Sequence, residues 1–186
     1  MSLKKIISSS PLFLKAGVAA AAARILPKYR YPLGVYLSIT SRCNLNCAYC
    51  DYGKLNCRGG EDLSAADARL LIDQMAAAGV IKLNITGGEP LLHHNLGEII
   101  DYAKNKKMFV VVSTNGTLIS DRLCELSNAD IVMTSFDGTK ENHELLRGRN
   151  SFDKLILALE NRKKKNIIFW TSTTLNKYNI ADIDFI

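Results

Sequence analysis

With 186 residues, 47% of them hydrophobic and 23% charged, the chain is long enough for one domain with a real core and reads as a globular protein. Its formal charge of +6 is gathered largely in "KNKK" (104–107) and "RKKK" (162–165), with no interleaved aromatic residues to stack bases, so a nucleic-acid partner is not expected. Five cysteines, an odd number with three clustered, exclude the even, dispersed disulfide framework of a small secreted protein and fit a reducing, cytoplasmic setting with a metal or redox site.

The first 31 residues read as an extension. "MSLKKIISSSPLFLKAGVAAAAARILP" has an early Lys pair and an apolar stretch, but Lys15 splits that stretch and Arg24 follows it. The pattern predicts an alanine-rich amphipathic helix from about Leu12 to Leu26, ended by Pro27, that caps one end of the domain. No stretch has the length of a transmembrane helix, and membrane association is not expected, a helix lying on a membrane surface being the minority reading.

From Pro32 to residue 186 one core domain is expected. "GVYLSIT" (34–40), "VIKLNIT" (80–86), "MFVVVST" (108–114), "ADIVMTSF" (129–136) and "NIIFWTSTT" (166–174) are rich in β-branched and aliphatic residues and read as strands. The third is apolar throughout, as a strand buried on both faces should be. Between them lie helices. "LSAADARLLIDQMAAAG" (63–79) has Ser64 as N-cap, Leu71, Met75 and Ala78 on one face, and Gly79 as its stop. "NLGEIIDYAKNKK" sets Leu96, Ile99, Ile100 and Ala103 at helical spacing, a short helix runs from about Asp121 to Leu126, and "SFDKLILALENRKKK" faces Phe152, Leu155, Ile156 and Leu159 inward. The two basic runs each close a helix, where cations meet the negative carbonyl end.

This alternation implies parallel pairing with right-handed crossovers. The fold class is α/β, a partial, open parallel (β/α) barrel of TIM-like type with about five strands and an N-terminal helix. Five strands do not close a barrel, so the domain is expected to be incomplete at its C-terminus. Asn179 looks like the N-cap of a helix that does not develop, and strand five is expected to be an unprotected edge.

In parallel β/α folds the site lies at the C-terminal ends of the strands. Those ends read "TSRCNLNCAYC", "TGGEP" (86–90), "STNG" (113–116), "SFDG" (135–138) and "STTLN" (172–176). Each alone could be turn chemistry; all five on one rim would line one site. The first puts Cys43, Cys47 and Cys50 within eight residues, spaced C-x3-C-x2-C. Thiolates hold iron–sulfur clusters, and a four-iron cluster on three thiolates keeps one iron open for a reactant. The cysteines alone leave a zinc knot equally open, with Cys57 as fourth ligand. Cys124 is expected to fill core space as a small hydrophobe.

A C-x3-C-x-aromatic-C run after the first strand and "GGEP" after the second resemble the radical S-adenosylmethionine (radical SAM) superfamily, over about Val35 to the end of the chain. The resemblance implies a [4Fe-4S] cluster on Cys43, Cys47 and Cys50, with Tyr49 packed near the adenine of SAM. Gly87, Gly88, Glu89 and Pro90 would hold the SAM amino group. Ser113, Thr114, Asn115, Ser135 and Asp137 would contact the ribose or the methionine end. Arg147 would pair with the methionine carboxylate through its planar fork, or serve as a helix-end charge. The implied activity is that of an oxidoreductase-like enzyme: one electron from a flavodoxin- or ferredoxin-like donor cleaves SAM, and the 5′-deoxyadenosyl radical takes a hydrogen atom from a substrate. "SFDG", "HELLRGRNSF" and "NKYN" resemble the subgroup of molybdenum-cofactor, pyrroloquinoline-quinone and peptide-maturation enzymes, which implies a peptide or small-metabolite substrate. The alternative is an incomplete cluster- or zinc-binding module without turnover.

Overall fold

Five short runs of β-branched and aliphatic residues build one sheet. A computed structural model describes residue 14 and residues 32–55, 61–161 and 167–186. In it β1 (Gly34–Ser38), β2 (Lys82–Thr86), β3 (Phe109–Thr114), β4 (Ile131–Ser135) and β5 (Phe169–Ser172) lie side by side in that order. Every neighbouring pair is parallel. The register sets Ser38 beside Thr86, Thr114 beside Thr134 and Ser135 beside Ser172, so the strand ends form one level rim. The expected fold class, an open parallel β/α sheet, is the one observed. The expected N-terminal helix, apart from Leu14, lies outside the described residues, as do Cys57 and "RKKK".

The crossovers are helical: α1 (Tyr52–Leu55), α2 (Ala65–Ala77), α3 (Leu96–Asn105), α4 (Ile119–Arg122), α5 (Lys140–Arg147) and α6 (Ser151–Asn161). Ser64 caps α2 through its hydroxyl, which accepts from the Asp67 N–H, and Gly79 stops the helix at φ +83. The core lies between helices and sheet, with Ile72, Leu83, Ile85, Ile99, Ile100 and Val112 among its fully enclosed members. Among the described residues no helix is long and apolar enough to cross a membrane.

Four expectations are corrected. The buried face of α2 carries Ala68 and Ile72, with Leu71 and Met75 at its margin, and Ala78 is exposed because it is the C-cap, past the last helical residue Ala77. The helix expected over 121–126 runs instead over Ile119–Arg122 and passes into turns that bury Leu126 but leave Cys124 exposed. Cys124 therefore does not fill the core. Helix α5 was not expected at all. Its apolar content is low, yet His143, Leu146 and Arg147 share a buried face at the i, i+3, i+4 spacing. Finally, Asn179 makes no side-chain cap for the 3-10 turn that follows, Ile180–Asp182. It is fully buried and donates to the carbonyls of Asp137 and Thr174. The next carboxylate, Asp182, takes the capping role for a distant helix. It accepts from the Thr139 N–H, the Thr139 hydroxyl and Asn142 Nδ2 at the start of α5.

Candidate functional site

All five strand ends contribute to one cavity of about 200 Å3 at the C-terminal rim. The segment after β1 supplies Cys43, Cys47, Tyr49 and Cys50, and β2 supplies Thr86 and the following Gly88. Strand β3 ends in Ser113, Thr114 and Asn115 on its wall; β4 adds Met133 and Ser135, α5 adds Arg147, and β5 adds Ser172. Gly87, Glu89, Pro90 and Asp137 are not on that wall. They stand behind it, and their contacts say what they do there.

The cysteine segment has almost no regular structure of its own, so other elements must fix it. At its start, the Thr40 and Arg42 carbonyls accept from the backbone N–H groups of Gly88 and Glu89, at 2.9 and 2.8 Å. A Cβ on Gly87 would meet the Thr40 carbonyl at 2.3 Å, and one on Gly88 the Arg42 carbonyl at 2.2 Å; Gly87 also adopts φ +138. The two glycines are thus needed for two backbones to meet. Arg42 makes a bidentate pair with Asp62 and also donates to the Leu92 carbonyl. In mid-segment, Asn44 accepts from Asn115 Nδ2 and donates to the Thr117 hydroxyl, both at 2.8 Å. Further on, the Ala48 N–H donates to the Leu146 carbonyl, one of the last of α5, at 2.8 Å.

Two carboxylates tie the rim together. Glu89 is fully buried and accepts from the Leu91 N–H, the Thr114 hydroxyl and the Asn115 N–H. It thereby joins the end of β2 to that of β3. Asp137 is also fully buried. One oxygen accepts from the Tyr49 hydroxyl at 2.5 Å and Arg147 Nε at 2.6 Å, and the other accepts from the Thr174 N–H at 2.9 Å. The Arg147 guanidinium lies 5.6 Å from the centroid of the Tyr49 ring.

Burial raises the thiol pKa of Cys43 and of Cys47; the nearby Glu89 charge adds to the first, and Arg147 opposes the second. Burial likewise raises the carboxyl of Glu89 against its three donors. At Asp137 burial pushes the same way, but Arg147, Tyr49 and the Thr174 N–H together outweigh it and hold the carboxyl below the usual range. His143 is lowered to about 4, by burial first and then by Arg147.

Among the described residues no group of three or more His, Cys, Asp or Glu side chains is arranged to hold a single metal ion. One zinc would draw its sulfurs to roughly 3.8 Å of each other, from Zn–S bonds of about 2.3 Å. A four-iron cube asks less convergence, since each thiolate binds a different corner. The donor set fits the cube: three thiols share one cavity with hydroxyl, amide and guanidinium groups that can face a polar organic ligand.

The sequence profile described as the Radical SAM superfamily matches residues 37–186. The chain belongs to that superfamily. Membership implies SAM and an iron–sulfur cluster. This radical SAM chain is 34% identical over 160 residues to Fe-coproporphyrin III synthase of Methanosarcina barkeri, covering 84% of this chain and 40% of that protein. To mycofactocin maturase MftC of Mycobacterium tuberculosis it is 30% identical over 160 residues, covering 82% and 40%. Among solved structures, Streptococcus suis SuiB bound to precursor peptide SuiA superposes with a TM-score of 0.69 over 89% of this chain and 39% of that one; at 18% identity this is a likeness of fold. The radical SAM chain thus spans about two fifths of the length of the curated relatives it matches.

Sequence reasoning missed Asn44, Thr117, Ala48 and Thr174, which hold the site without entering a motif. Asn44 carried a signal, since a polar residue between clustered cysteines can fix their loop. The backbone groups of Ala48 and Thr174 carried none, because a main-chain N–H is the same in every residue.

Proposed function

We propose that the chain is the cofactor-binding part of a radical SAM enzyme acting in the cytoplasm on a peptide or small metabolite, with one-electron reduction from a flavodoxin- or ferredoxin-like donor. The observation that carries this reading is one cavity lined by three thiols and a buried arginine and drawn from all five strand ends. Cys43, Cys47 and Cys50 hold a [4Fe-4S] cluster. When bound, the cluster supplies the electron that cleaves SAM to the 5′-deoxyadenosyl radical, which abstracts hydrogen from the substrate.

The chain's own residues bind and orient. Gly88, Ser113, Thr114, Asn115 and Ser135 offer carbonyl, hydroxyl and amide groups to SAM, and Arg147 offers its terminal donors to the methionine carboxylate. Tyr49 covers the adenine side. Gly87, Glu89 and Pro90 act from behind the wall, by holding the cysteine segment and the β3 rim in place. The names of relatives, an Fe-coproporphyrin III synthase and a PqqA peptide cyclase, support a substrate of either class.

Anaerobic reconstitution with iron and sulfide tests the reading. The expected product is a brown protein with about four irons per chain and a charge-transfer absorption that SAM perturbs. Dithionite should then release 5′-deoxyadenosine. Replacing Cys43, Cys47 and Cys50 together by Ala should abolish colour and cleavage, whereas Cys124→Ala should leave both intact. A colourless protein with one tightly held zinc would replace this reading with the zinc knot. Brown protein that binds SAM without releasing the nucleoside would identify a module that does not turn over.

A further inference from the structure

Asp137 sits at the end of β4 yet does not reach the cavity, and its position is over-determined. Its backbone N–H donates to His143 Nδ1 at 3.1 Å, its carbonyl accepts from Asn179 Nδ2 at 3.1 Å, and both carboxylate oxygens are engaged. Neighbours on four segments therefore hold this residue, three of them through its side chain, which is not on the cavity wall. A group so enclosed acts through what it grips. The grip on Arg147 is selective. Only Nε is engaged, and among the described residues the two Nη groups have no hydrogen-bond partner, although the side chain is only 9% exposed and lines the cavity.

A guanidinium is a rigid plane with five N–H donors. Fixing Nε from one edge fixes the direction of the Nη1–Nη2 edge opposite. That edge is a two-pronged receptor with the geometry of a carboxylate. The same Asp137 oxygen also holds the Tyr49 hydroxyl, one residue before Cys50. We propose that Asp137 is a positioning residue. It turns the Nη edge of Arg147 into the cavity as a carboxylate receptor, and through Tyr49 it registers the cysteine segment against that receptor. The inference rests on the radical SAM reading and deepens it: it assigns recognition of the ligand's carboxylate to a pair in which one member never touches the ligand.

A plain counter-ion role makes the opposite forecast. Asp137 neutralises Arg147, so if that were all it did, Asp137→Asn would free positive charge and tighten binding of any carboxylate ligand. Positioning requires the reverse, and only for ligands that carry the carboxylate.

The test is equilibrium dialysis of the anaerobically reconstituted chain with two nucleosides that are not cleaved. S-adenosylhomocysteine carries the amino-acid end; 5′-methylthioadenosine lacks it. Asp137→Asn and Arg147→Lys should each weaken S-adenosylhomocysteine roughly tenfold, the scale of one well-made charge-assisted hydrogen bond, and leave 5′-methylthioadenosine within about twofold. Iron content per chain is measured alongside. Unchanged or tighter S-adenosylhomocysteine binding by Asp137→Asn overturns the proposal, as does an equal loss of both nucleosides. Should Asp137→Asn not fold, Arg147→Lys, which keeps the charge and removes the fork, can still refute the proposal: unchanged affinity there is equally fatal. A wild-type protein that holds four irons but binds neither nucleoside overturns the radical SAM reading itself, and the proposal with it. Loss confined to the Asp137 and Arg147 variants leaves that reading standing and supports the proposal.

Discussion

Gly88 has two neighbours that leave it no freedom: an N–H bonded to the Thr40 carbonyl and a space where a methyl group would lie 2.2 Å from the Arg42 carbonyl. Since the obstacle is backbone, no rotamer change relieves it. Gly88→Ala should cost roughly 3 kcal/mol in urea unfolding, at the upper end of ordinary point mutations, and should reduce iron retained after reconstitution. An unchanged midpoint would mean that the two backbones do not need to touch. A second residue-scale effect belongs to His143. It is fully buried between Phe136 and Phe152, its Nδ1 accepts a hydrogen bond, and its Nε2 has no partner. In the fold it titrates at about 4, against an ordinary 6.5. Between those values the unfolded chain takes a proton that the folded chain refuses. The stabilisation is present in full above about pH 6.5 and is lost as pH falls through about 4, a swing on the order of 3 kcal/mol. His143→Asn keeps an acceptor for the Asp137 N–H but cannot titrate there, so its stability should vary less with pH over that window in denaturant titrations. An unaltered slope would place the acid sensitivity elsewhere.

At the scale of elements, what could be read from the chain followed from period and composition. The apolar run of β3 and the Leu96, Ile99, Ile100, Ala103 stripe of α3 describe a buried strand and a one-faced helix, and both are found so. The alternation implies the parallel pairing, and the sequential order of the five strands is that of the barrel-type sheet expected. Helix α5 was hidden because its charges dominate its composition, while its buried face carries a histidine and an arginine where most helices carry aliphatics. Motifs brought Cys43, Gly88, Asn115 and Arg147 to notice. They could not reveal that Glu89 and Asp137 face inward, since a carboxylate's burial depends on donors contributed by segments 25 and 37 residues away. Cys124 misled for the opposite reason: residue type favours burial, but the turn after α4 points it outward.

At the scale of the whole molecule, the β5 edge of the sheet is an exposed apolar feature of the described surface. Strand β5 is mostly exposed, and Trp170, Tyr178, Ile180, Ile183 and Phe185 near it are each more than half exposed. Such an edge pairs with whatever strand or apolar face it meets. By itself the chain should self-associate as concentration rises in sedimentation velocity, and Trp170→Lys should reduce that association several-fold; a concentration-independent monomer would contradict this. The same region has a quieter influence. Asp182, four residues from the last, binds the first turn of α5, and the last turn of that helix bears Arg147. A lever eight residues long therefore links the tail to the cavity. A variant that lacks this carboxylate would leave the start of α5 unanchored at a point that contacts no part of the cavity.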